Sequence, residues 1–155
     1  MKKVTIIFLL ILILVGCENK KEENKDEYIS IKKHLLEEKE YTKGEDLPVD
    51  ITVKIDREDE EKVKYKVILN HPKENMKEIK ILVINNYYNE EVFPSVGIFD
   101  DPKNLSTIEQ DSSIELDSIL KTTKNISKIN LELKIWMEYI NELGEKKEIY
   151  YKTTQ

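Results

Sequence analysis

With a single cysteine, Cys17, this chain of 155 residues cannot close an internal disulfide, so its fold must rest on packing alone. Glycine is scarce as well. Gly16, Gly44, Gly97 and Gly144 stand far apart, which excludes a glycine-rich loop cradling a phosphate. His34 and His71 are the only imidazoles, and no G-x-S-x-G turn is present, so nucleophilic and acid–base catalysis have little to work with. His71 precedes Pro72 in a polar loop and His34 lies among lysines and glutamates, so both read as surface histidines. No enzymatic activity is expected. Positive charge is also short: 25 Lys and Arg against 31 Asp and Glu give a net charge of −6. Nucleic acid, whose phosphates require a basic patch, is excluded as a partner. Finally, the longest uncharged apolar run, Val4 to Val15, falls short of the about 20 residues that a membrane-spanning helix needs.

That short run is informative for what surrounds it. Lys2 and Lys3 precede it as a positive n-region, and a dense polar tract follows Cys17, the three-part layout of a secretory signal. Leu14-Val15-Gly16-Cys17 resembles the lipobox of bacterial lipoproteins of the Gram-positive type. The resemblance implies cleavage between Gly16 and Cys17 and diacylglycerylation of the Cys17 sulfur. It places the protein on the outer face of the cytoplasmic membrane, with the membrane as a partner through the lipid. Two acyl chains on one residue suffice for stable anchoring, at about 0.8 kcal/mol per buried CH₂. Loss of Lys2 and Lys3 with the signal leaves 23 positive against 31 negative side chains, or −8.

The rest of the chain divides by composition. Residues 17–27 comprise the lipidated cysteine and an apolar-free tract, Glu18 to Glu27, expected to be a flexible tether. Residues 28–46 are expected to form a short helix, with Tyr28, Ile31 and Leu35 at helical spacing, and a loop broken by Gly44. Ile29 and Ile31 alternate instead as in a strand, which leaves the segment ambiguous.

From residue 47 to 155 the period becomes two. Ile51, Val53 and Ile55 mark a half-buried strand; Val63, Tyr65, Val67 and Leu69 mark its hairpin partner. Ile79 to Ile84 is almost continuously apolar, a strand covered on both faces. Ile114 and Leu116 mark a short strand. The longest is expected to begin at Ile126 or Ile129, with Leu131, Leu133, Ile135, Met137 and Tyr139 facing one way, and Trp136 the other. Ile149, Tyr151 and Thr153 close the chain. Core residues on these last two strands are odd-numbered, so opposed pairs sum to an even number. A sum of 286 sets Ile135 against Tyr151 and Trp136 against Tyr150, with a loop of Glu142, Leu143 and Gly144 in which glycine takes the positive φ. The pattern resembles an immunoglobulin-like or fibronectin-III-like domain, an all-β antiparallel sandwich of about seven strands, with a small barrel as the alternative.

Candidate surfaces follow from this frame. Trp136 and Tyr150 on the polar face would suit a partner protein or an envelope glycan, unless the segment of residues 28–40 packs over them. Tyr87, Tyr88, Phe93 and Phe99 lie in a mid-chain stretch that reads either as a binding loop or as a short strand with a bulge at Gly97. Asp56, Glu58 and Asp59 in one turn, and Asp100 and Asp101 in another, are the candidate ligands for calcium, though neither run has EF-hand spacing. No other cofactor is expected, and the protein should act as a monomeric, non-catalytic binding module. The alternative is a calcium- or solute-binding lipoprotein.

Overall fold

A computed structural model describes residues 21–57, 62–87, 92–109, 111–121 and 129–155. Eight strands and one α-helix occur among them. Helix α1 covers residues 21–37, and a 3₁₀ turn follows at Gly44–Asp46. The strands are β1 (Asp50–Arg57), β2 (Lys62–Asn70), β3 (Met76–Asn85), β4 (Ser95–Val96), β5 (Lys103–Leu105), β6 (Ile114–Lys121), β7 (Glu132–Ile140) and β8 (Lys146–Thr154). They form two antiparallel sheets, ordered β1-β2-β6 and β4-β3-β7-β8, with β5 also pairing with β3. This is an all-β antiparallel sandwich.

The alternating residues meet between the sheets. Val63, Tyr65, Val67 and Leu69 of β2, Ile114, Leu116 and Leu120 of β6, Ile79, Ile81 and Val83 of β3, and Leu133, Ile135, Met137 and Tyr139 of β7 form one core. Ile51, Val53 and Ile55 on the edge strand β1 pack against it while remaining partly open. The closing hairpin has the expected register, Ile135 opposite Tyr151 and Trp136 opposite Tyr150. Gly144 sits at φ 76°, and the Asn141 carboxamide oxygen accepts from the N–H of Leu143 at 3.0 Å and of Glu145 at 2.9 Å. A short polar side chain thus closes the loop onto itself.

Several boundaries differ from the expectations. Residues 21–27 are not a tether but the first described turns of α1. The compositional argument applies to an isolated segment. Here Tyr28, Ile31 and Leu35 dock on the sheet, so the helix is nucleated by tertiary contact and extends back through lysines and glutamates at little cost. An ion pair between Glu27 and Lys80 of β3 holds this extension down. The bulge lies in β3 between Lys77 and Lys80, with Glu78 at φ 52°, rather than at Gly97. Strand β7 begins at Glu132, later than expected, and β3 is the longest described strand. Strand β5 carries no alternation that the sequence could have shown. The acidic turn after Arg57 and residue Ile126 lie outside the described residues.

The apolar run of β3 now has its explanation. Ile81 and Val83 point into the sandwich, while Leu82 and Ile84 point outward into a second core with Tyr28, Ile31 and Leu35 of α1, Phe93, Ile98 and Trp136. The molecule is therefore three-layered: sheet, sheet, helix.

Candidate functional site

The helix decides which aromatics can meet a partner. Trp136 is only 3% exposed, buried beneath α1, and cannot be the centre of a binding surface as its place on a polar strand face suggested. Its indole N–H donates to Glu148 Oε1 at 2.6 Å, and the Tyr150 hydroxyl donates to the same oxygen at 2.8 Å. Tyr150 is half-buried against this second core, and its carbonyl accepts from Thr42 N–H at 2.7 Å. Lys134, beside Trp136 on β7, donates to the Leu36 carbonyl at 3.1 Å, tying the last turn of α1 to the sheet. Trp136 is thus a core residue, with Tyr150 half-buried beside it.

Burial, with the Glu148 hydrogen bond next, pushes the Tyr150 hydroxyl up to about 12, and burial with a hydrogen bond to Glu74 raises Tyr139 further. A phenol whose folded pKa exceeds its ordinary value of 10.0 binds more protons folded than unfolded above that pH. Its stabilising contribution is complete below pH 10 and is lost as pH climbs through the folded value. Alkaline titration is therefore expected to show tyrosinate absorbance from these two residues rising together with loss of β-sheet circular dichroism. Full ionisation of all tyrosines before any unfolding would contradict it.

The mid-chain aromatics separate in the same way. Tyr87 is half-buried against the sandwich core, and Tyr88 lies outside the described residues. Phe93 is 2% exposed in the second core; its backbone N–H donates to the Tyr28 hydroxyl at 2.9 Å, and the Lys32 ammonium lies 4.7 Å from its ring centroid. Of the described aromatics in this stretch only Phe99 stays open, at 48% exposure, with its ring 5.2 Å from that of Tyr28. Gly97 ends β4 at φ 74°, and a β-carbon there would lie 2.8 Å from the Ile79 carbonyl oxygen beside the β3 bulge.

The described acidic candidates, Asp56, Asp100 and Asp101, do not converge. The Asp100 carboxylate accepts from Gly97 N–H at 2.6 Å, an internal turn contact, while Asp101 and Asp56 are exposed. Glu58 and Asp59 lie outside the described residues. Among the described residues, no three His, Cys, Asp or Glu side chains group as a metal would require.

A polar hollow of about 470 Å³ is lined by His71, Pro72, Ser106, Thr107 and Asp111. His71 Nδ1 lies 3.3 Å from Asp50 Oδ2, which resembles the base–orienter half of a catalytic triad. The Ser106 hydroxyl, however, donates to Asn75 Oδ1 at 3.0 Å, and the same oxygen accepts from Thr107 N–H at 3.0 Å. Asn75 in turn donates through Nδ2 to Glu142 Oε1 at 2.7 Å. The serine belongs to a cross-link between three loops. His34 is exposed on α1.

What remains is a groove that the sequence did not disclose. It has a volume of about 810 Å³ and runs between α1 and the segment after Val92. Tyr28, Ile29, Val92 and Phe99 line it with Lys21, Asn24, Lys25 and Lys32. Ile29 is 52% and Val92 61% exposed, so with Phe99 three large apolar side chains face solvent together. The helical members are spaced i, i+3, i+4, i+7, i+8 and i+11 from Lys21, one stripe beside the buried Tyr28–Ile31–Leu35 stripe. The available signal was Ile29, apolar yet off the buried stripe; its alternation with Ile31 pointed instead to a strand.

The fold and groove define an antiparallel β-sandwich with a helix packed on its five-stranded sheet. No protein-family model matches the chain, and no curated protein sequence matches it. No described helix is long and apolar enough to cross a membrane.

Proposed function

We propose that this chain is a lipid-anchored, extracytoplasmic binding module without catalytic activity, working as a monomer at the outer face of the cytoplasmic membrane. The anchor rests on the sequence Leu14-Val15-Gly16-Cys17, with Cys17 acylated after cleavage behind Gly16. The binding role rests on one observation: Ile29, Val92 and Phe99 are left open together in a lysine-bordered groove, although the same helix buries Tyr28, Ile31 and Leu35. Exposed apolar side chains clustered within a polar rim mark interaction sites. An envelope component with apolar and anionic character would fit.

Both halves are testable in the producing bacterium. The full chain should partition into the detergent phase of a phase-separating extract, and Cys17→Ser should move it to the aqueous phase; wild-type protein in the aqueous phase refutes the anchor. A photo-reactive phenylalanine analogue in place of Phe99 should give a defined envelope adduct. The same analogue at Leu143, 81% exposed but outside the groove, should not. Equal labelling at both positions would remove the groove as the binding surface.

A further inference from the structure

The occupant of the groove can be narrowed from charge and tether length, granting the lipid anchor proposed above. At about 100° per residue, Lys21, Lys25 and Lys32 fall within about 40° of one another around α1, on the groove side. Glu22, Glu23, Asp26 and Glu27 fall on the remaining circumference, and Glu27 is engaged with Lys80 on the sheet below. A domain of net negative charge has thus gathered three cations on the face that also exposes Ile29, Val92 and Phe99. Lysines bordering apolar side chains are the composition of an interfacial surface, where the stems and rings enter the headgroup boundary and the ammonium groups meet lipid phosphates.

Position points the same way. Lys21 is four residues from Cys17. Even a fully extended chain of that length spans only about 14 Å. Acylation of Cys17 therefore keeps the Lys21 end of the groove within about two screening lengths of the headgroup layer at physiological salt. We infer that the groove face of α1 docks on the anionic headgroup layer of the membrane in which the protein is anchored, through Lys21, Lys25 and Lys32 with Ile29, Val92 and Phe99. The anchor supplies attachment, and this face sets the orientation in which the sandwich is held.

The test uses the full lipidated chain carrying Ile29→Trp, reconstituted into vesicles of brominated phosphatidylcholine with or without phosphatidylglycerol. Flotation with the vesicles reports the anchor; quenching of the new indole reports the face, against the unsubstituted chain, whose Trp136 is buried. Quenching is expected in anionic vesicles only, and it should fade in high salt. Each lysine near an anionic surface shifts the docked population by about fivefold, so Lys21→Glu, Lys25→Glu and Lys32→Glu together should reduce docking by at least about a hundredfold. If the triple variant does not fold, the salt series on the lysine-bearing protein tests the same electrostatic contribution. Flotation without quenching overturns the docking and leaves the groove to an acidic protein segment. Quenching of equal strength in neutral vesicles overturns the role of the lysines. Failure to float overturns the anchor and this inference with it.

Discussion

Replacing Trp136 by alanine is expected to destabilise the protein by about 3–5 kcal/mol, the cost of emptying a large buried aromatic site. Trp136 is 3% exposed and sits where α1, β3 and β7 meet, with Leu35, Leu82, Ile84 and Phe93 in the same cluster. No small shift fills that space, because the layer above is a helix fixed by its own buried stripe and by the Lys134–Leu36 and Lys80–Glu27 contacts. Urea unfolding should show a lower midpoint, and the groove wall formed by Tyr28 should loosen with the helix. Trp136→Phe separates the two contributions. It keeps most of the packing and gives up the indole hydrogen bond to Glu148, an exposed carboxylate that water can solvate, so about 1 kcal/mol is expected. A loss below about 1 kcal/mol in the alanine variant would mean that α1 does not cover this residue in solution.

Gly97→Ala carries the second large effect, about 2–4 kcal/mol. Part is conformational: at φ 74° an L-residue adds about 1–2 kcal/mol of strain. The rest is steric, since the new β-carbon would press on the Ile79 carbonyl at 2.8 Å, a backbone atom held in place by the β3 bulge, and on Lys80 Cγ at 3.0 Å. Gly144→Ala provides the internal control. It has nearly the same φ, 76°, but no atom within 4 Å of the added carbon, so only the conformational part should appear, about 1 kcal/mol. Equal losses at the two glycines would show that the approach of residue 97 to β3 contributes nothing. Because Gly97 lies between Phe93 and Phe99, its replacement should also displace one wall of the groove, visible as altered photo-labelling from position 99.

Much of the sandwich was legible because a period of two reports burial on one face without regard to what lies beyond. Val63, Tyr65, Val67 and Leu69 needed only their own alternation to be placed, and the parity of the core residues on β7 and β8 sufficed for the hairpin register. The continuous apolar run of β3 already required cover on both faces. The identity of that cover was not legible. Tyr28, Ile31 and Leu35 showed a helical stripe but no address for it, and the Lys/Glu tract before them looked unstructured because its composition says nothing about a neighbour that nucleates the helix.

The candidate site divides along the same line. By itself the sequence determined the resemblance of Leu14–Cys17 to a lipobox, the all-β class, the strand alternation and the acidic balance, since each depends on residues close together in the chain. Only the tertiary structure decided that Trp136 and Phe93 are core while Ile29, Val92 and Phe99 are surface. Exposure of an aromatic on a sheet's polar face depends on whether a distant segment crosses it, and here α1, from the far end of the chain, does. The same crossing aligned Lys21, Lys25 and Lys32 with side chains from another loop into one groove, a conjunction that no local pattern contains.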